Sequence, residues 1–128
     1  MTYPSIPSNA YKINGVSGIL WIGEEKMIVI ERSFSSGRAA CTIRVFMADM
    51  SEAANISDLI SLQSHPAEKS VSKKLLLNMD DLGRYIDNIE AVTFGPSLSN
   101  GHRTLIFVSD NNFSSLERTQ FLLFEVIP

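Results

Sequence analysis

Oxygen-bearing side chains gather at two places in this 128-residue sequence. Asp87, Asn88 and Glu90 lead into one apolar run, and Asp110, Asn111 and Asn112 follow a second. Carboxylates and amides are hard oxygen donors, and Ca²⁺ gathers about six to eight such oxygens. A cation held this way could bind an anionic ester and polarise its phosphoryl or carbonyl oxygen. A second reading is local: Asp and Asn beside strand ends form turns and caps by hydrogen-bonding their own backbone. Glu90 and Asp110 stand apart, because a carboxylate inside an apolar strand pattern has no turn role and needs a partner or a cation. Glu90, Asp110 and Asn112 are therefore the candidate metal ligands, with Ca²⁺ as the expected ion. Arg32 lies where the repeat described below places Asp110 and its neighbour. It could clamp a small anionic ester bidentately, or it could form an ion pair between neighbouring structural units. Asp80-Asp81 reads first as a loop and second as a cation site.

Other catalytic apparatus is missing from the sequence. Gly15-Val16-Ser17-Gly18-Ile19 is not a nucleophile elbow, since the second glycine falls one position early. The two histidines do not suit catalysis: His65 precedes a proline and His102 sits in a hairpin-turn signal, so both are expected at the surface. Cys41 is the single cysteine, which rules out an internal disulfide and reads as a small half-buried residue. No Ser-His-Asp, Cys-His, zinc-ligand or phosphate-loop spacing can be assembled. Eleven basic against fourteen acidic residues give a net charge of −3, with no basic run, which argues against nucleic acid as a partner. The apolar stretches Ile19–Ile22, Met27–Ile30 and Phe121–Phe124 are too short to cross a bilayer. The opening Met-Thr-Tyr-Pro-Ser-Ile-Pro-Ser-Asn lacks the basic and apolar regions of a signal peptide. Localisation stays open.

The elements that must position these groups are strands. Gly18–Ile22, Met27–Arg32 and Thr42–Met47 carry short apolar runs or alternation, joined by a tight polar turn at Gly23–Lys26 and a Ser/Gly loop at 33–38. Residues 49–70 are looser. Ile56–Leu62 has the makings of a short helix with Ser57 as its cap, stopped by His65-Pro66. Strands resume at 71–77, 89–94, 104–109 and 121–126.

The last third of the chain repeats the first. Val16-Ser17-Gly18-Ile19 sits over Ile89-Glu90-Ala91-Val92, and Phe34-Ser35-Ser36 over Phe113-Ser114-Ser115. Thr42–Phe46 sits over Gln120–Phe124. The offset is 73 residues at the start and 79 at Phe-Ser-Ser. That is longer than a propeller blade of about 40–50 residues, and an insertion at 49–70 accounts for the excess. Two copies of strand–turn–strand–loop–strand point to an all-β chain of antiparallel β-propeller-like blades, about two blades of a larger propeller. A sandwich built from duplicated meanders would show the same pattern. The second unit has no fourth strand, so missing N-terminal blades or self-association are expected to cover its open edges.

Three segments carry a family resemblance: Ile86–Pro96, Gly101–Phe113 and Thr119–Glu125. Ile30–Ser35 and Asn78–Gly83 add to it. Together, over roughly residues 11 to 127, the sequence resembles the C-terminal portion of the phytase-like domain family, described for esterase-like activity of phytase. Ala91 departs from the glycine expected after the glutamate and adds a methyl at a tight spot. The resemblance implies one domain fragment over 1–128, with blades at 11–78 and 86–127. It also implies a metal-assisted ester or phosphoester hydrolase, usually exported, of which this piece alone would be inactive. A non-catalytic binding module or a truncated product is the alternative.

Overall fold

A computed structural model describes residues 12–35, 41–66 and 69–128. The described chain is all-β, folded as two antiparallel sheets. Strands β1 (Lys12–Gly23), β2 (Lys26–Ser35), β3 (Thr42–Asp49) and β4 (Ser72–Asn78) form a four-stranded meander. Strands β5 (Ile89–Phe94), β6 (Thr104–Ser109) and β7 (Gln120–Glu125) form a three-stranded one. The tight turn between β1 and β2 puts Glu24 at φ 52° and Glu25 at φ 57°. A two-residue hairpin loop needs this left-handed pair to match the twist of its strands. A single 3₁₀ turn at Met79–Leu82 leads out of β4, capped by Asn78 Oδ1, which accepts from Asp80 N at 3.1 Å.

The expected helix over 56–62 is absent. Those residues form turns, with Asn55 Oδ1 accepting from Ser57 N at 2.9 Å and Ile56 O from Leu59 N at 3.0 Å. The run is far shorter than a self-sustaining helix, and although Asn55 caps the Ser57 amide as an N-cap would, His65-Pro66 leaves no room to propagate a turn beyond it. The polar N-terminal segment lies outside the described residues; of the Ser/Gly loop expected over 33–38, residues 33–35 instead continue β2, and 36–38 lie outside the described residues. Among the described residues, no helix is long and apolar enough to cross a membrane.

The first strand of each sheet carries a β-bulge at the same point of the repeat. In β1 the pairing with β2 skips Ser17, passing from Val16–Glu31 to Gly18–Ile30. In β5 the pairing with β6 skips Glu90, passing from Ile89–Ser109 to Ala91–Val108. Counting rungs from the bulges superposes the sheets row by row. Gly18-Ile30-Val45 falls over Ala91-Val108-Phe121, and Ile19-Val29-Phe46 over Val92-Phe107-Leu122. The register thus moves the last strand by two residues from the sequence superposition, placing Val45 rather than Ile43 over Phe121. A shift of two keeps every side chain on its own face.

The two bulges face each other and join the sheets. β1 lies against β5, and Ser17 Oγ donates to Ile89 O at 2.9 Å. A methyl on Gly18 would come to 3.5 Å from Glu90 O and 3.2 Å from Ile30 Cδ1. The tight neighbour is the Ile30 side chain of the same sheet, while the approach to the Glu90 carbonyl is an ordinary contact. Ala91 is exposed instead, so the methyl expected at a tight spot meets no crowding in this chain. Between the sheets Ile30, Ile43, Ile89 and Phe107 are buried, and Phe107 meets Phe124 edge to face at 5.5 Å. Strand β-branching and this shared apolar face hold the two layers together.

Replacing Ser17 by Ala removes the side-chain hydrogen bond donated from the first bulge to Ile89 O. Denaturant melts should lose about 1 kcal/mol of stability; an unchanged midpoint and slope would mean that this bond does not hold the sheets.

Candidate functional site

Arg32 stands at the open end of the seam between the sheets. It lies on β2 opposite Gly15. With Ser17, Phe34, Cys41 and Asn88 it lines a cavity of about 230 Å³. Asn88 comes from the segment before β5 and Cys41 from the start of β3, so both sheets supply walls. The Cys41 thiol donates to Asn88 Oδ1 at 2.7 Å, consistent with the half-buried cysteine expected.

Glu90 meets Arg32 across the seam. The closest approach is Nη1 to Oε1 at 4.0 Å, with side chains 35% and 41% exposed. Such a pair is long, solvated and weak. Its geometry corresponds to the ion pair between units that was one of the two readings of Arg32. The guanidinium carries five N–H donors in a planar fork, so one loose carboxylate contact leaves most of its binding capacity at the cavity.

The three residues singled out for a cation lie at one end of the second sheet. Glu90 and Asp110 flank the Ile89–Ser109 rung. Asp110 is exposed just past the end of β6, not inside the strand. Asn112 is at φ 49° in a turn, where its Nδ2 donates to Glu117 Oε2 at 2.6 Å. Asn111 Oδ1 accepts from Phe113 N at 3.2 Å. These are the backbone-turn roles open to Asn after a strand. Among the described residues no three His, Cys, Asp or Glu side chains gather as a metal centre would need.

Asp87 does different work from its neighbours. It is buried, and its two carboxylate oxygens accept from Asn88 N at 2.8 Å and Arg118 N at 2.6 Å. Its own N–H donates to Gln120 Oε1 at 2.8 Å, and Gln120 Nε2 donates to Tyr85 O at 3.1 Å. Ser109 Oγ donates to Arg118 O at 2.8 Å and accepts from Gln120 N at 3.0 Å. This network ties the loop after β6 to the segment before β5, which sets where Asn88 and Glu90 stand. Burial, with the nearby Asp87 charge, pushes the Tyr85 hydroxyl above its ordinary pKa. The sequence grouped Asp87 with possible ligands. Its pairing with Gln120, 33 residues away, has no local signature.

His102 lies in the β5–β6 hairpin as expected, but it is not idle. Its Nδ1 is 2.6 Å from Glu125 Oε1, to which Asn100 Nδ2 also donates at 2.9 Å. The Asn100 and His102 hydrogen bonds hold the Glu125 carboxyl below its usual range. A second, larger cleft of about 580 Å³ opens at this far end of the seam, lined by apolar side chains such as Ile22, Met47, Phe94 and Ile127. Arg103 stacks on Phe94 at 3.7 Å there, leaving no convergent polar set for an anion.

Two measurements test this layout. Asp87→Asn keeps the shape but turns an NH₂ toward a backbone N–H, and should lower stability by about 1–3 kcal/mol; a neutral result would remove the latch role. The Glu125 carboxyl should titrate by NMR below the ordinary value of about 4.3. Its folded-state pKa is depressed, so its stabilisation is present above the ordinary value and fades as pH falls through the depressed one. A titration at or above 4.3 would contradict the Asn100–His102–Glu125 contacts.

No curated protein and no solved structure matches the chain. One family model does, over residues 1–113, a span that takes in both bulges, Arg32, Glu90, Asp110 and Asn112 and stops before β7. The chain belongs to the phytase-like family, described as esterase-like activity of phytase.

Proposed function

We propose that this chain is a two-blade portion of a phytase-like β-propeller and that its Arg32 cavity takes the anionic group of an ester or phosphoester. The observation that carries the binding role is the Arg32 guanidinium at the wall of a cavity built by both sheets, with a single loose carboxylate contact. A planar fork of donors matches the oxygens of a phosphate or carboxylate. Asn88 and Ser17 add polar groups at the same wall.

The blade reading is supported by the outward faces of the sheets. A sandwich turns polar side chains outward along each strand. Here Val16 and Ile19 on the first sheet are each 61% exposed, and Phe121 and Leu123 on the second are 72% and 61% exposed. Apolar residues on both faces of both sheets fit layers cut from a longer stack.

The reading extends to a hard cation held by Glu90, Asp110 and Asn112, all at one end of the second sheet, although Glu90 and Asp110 lie on opposite sides of the Ile89–Ser109 rung. These three supply fewer oxygens than Ca²⁺ gathers, and they do not form a cluster here, so no chemical step is derived through the ion. This two-sheet chain is accordingly a binding piece and performs no hydrolysis by itself.

Titration with inorganic phosphate separates these roles. Arg32→Ala should abolish binding, whereas Glu90→Gln should strengthen it several-fold by removing the competing carboxylate. If Glu90 instead serves a cation, Glu90→Gln should weaken Ca²⁺ binding measured by calorimetry. Binding of phosphate unaltered by Arg32→Ala would sink the anion role. Calcium-dependent cleavage of an aryl phosphate or aryl ester by the wild-type chain, lost in Glu90→Ala, would overturn its inactivity.

A further inference from the structure

We infer that the open front of the second sheet is a docking face for the open back of the first sheet of another copy, so that chains associate head to tail. The inference rests on the stacked-blade reading above. Within the chain, Gly18, Leu20, Ile28, Ile30, Val45 and Met47 form the face of the first sheet that meets the second. Rung for rung, their counterparts in the second sheet are Ala91, Thr93, Ile106, Val108, Phe121 and Leu123. These form the opposite, uncovered face. Conversely, the face of the second sheet that is covered, with Val92, Phe107 and Leu122, corresponds to the outer face of the first, where Ile19 is exposed, Val29 and Phe46 are half-buried, and Lys73, paired with Glu31, lies over the Phe46 ring. The sheets stack front to back, not front to front. The existing contact therefore specifies its own continuation, with one copy's front on the next copy's back. Contacts of this kind are heterologous and grow into rings or open chains.

Packing at the key position supports the match. On the covered face, a methyl on Gly18 would come to 3.2 Å from Ile30 Cδ1 but only 3.5 Å from Glu90 O, an ordinary contact distance. On the open face the methyl is present as Ala91, and its rung partner is Val108, one carbon shorter than isoleucine. The carbon added at one site is removed at the next, so a sheet arriving there meets nearly the same volume. One difference weakens the copy. Glu90 takes the place of Ser17, and its carboxylate cannot donate to a carbonyl as the Ser17 hydroxyl does. Docking between copies is therefore weaker than the seam inside the chain, and Glu90→Ser should tighten it.

Sedimentation equilibrium of the 128-residue chain and two surface variants tests the proposal. Phe121→Lys with Leu123→Lys spoils the front; Val16→Lys with Ile19→Lys spoils the back. All four side chains are solvent-exposed, and circular dichroism verifies folding. The wild type should associate with increasing concentration, and each variant alone should do so at least ten-fold more weakly. An equimolar mixture of the two variants should form a discrete 1:1 dimer, because one intact front and one intact back remain. A wild type that stays monomeric up to about 1 mM overturns self-docking, and points these faces toward a sheet of other sequence. Association that survives in either variant alone overturns it as well, as does failure of the mixture to pair. The Ser17→Ala melt reads the intramolecular stacking separately, so loss of self-docking and loss of the blade reading give different results.

Discussion

One extra residue in each of two neighbouring strands governs how the layers meet. At Ser17 and at Glu90 the ladder skips a residue, the strand bends, and its backbone is brought against the other strand. Gly18 lies at ordinary contact distance from the Glu90 carbonyl, and the Ser17 hydroxyl donates to the Ile89 carbonyl of the facing strand. From this joint the apolar faces of both sheets close over Ile30, Ile43, Ile89 and Phe107. Without the bulges the same side chains would still alternate, but nothing would fix the height at which the two sheets face each other.

The candidate site is a consequence of that joint. Arg32 is one rung beyond the first bulge and Glu90 is the second bulge itself, so the two side chains meet where the seam begins to open. A fully buried pair would demand close geometry to offset desolvation. At the mouth, with side chains 35% and 41% exposed, the pair is loose and solvated. The Asp87 network makes the mouth a defined shape, because it anchors the segment that carries Asn88 and Glu90 through Arg118 and Gln120.

The strands, the hairpin turns and the insertion before β4 were legible because each is written in local alternation and turn chemistry. The duplication was legible because Val16–Ile19 and Ile89–Val92 keep the same small-and-branched order. The short helix at 56–62 failed because seven residues of weak periodicity are too few to repay helix nucleation, even with Asn55 placed to cap the Ser57 amide. Register within the last strand was off by two, since period-two alternation is blind to a shift that preserves faces. The long-range partners were the least visible. Nothing near Asp87 announces Gln120 or Arg118, and nothing near His102 announces Glu125. The bulge at Ser17 had one usable sign: it aligns with Glu90, a charged residue that breaks the apolar pattern at the same step.

The exchange of Gly18 and Ile30 for Ala91 and Val108 has a bearing on how such units can be recombined or averaged. The two positions share one small volume and vary as a pair. A chimera that carried alanine at position 18 while keeping Ile30 would bring a methyl to 3.2 Å from Ile30 Cδ1, and one that carried glycine at 91 beside Val108 would lose an exposed methyl that crowds nothing. Consensus sequences drawn column by column across the two units would produce one of these mismatched combinations about as readily as a matched one. Designers of repeat proteins from this scaffold should treat the pair as a single letter of the alphabet.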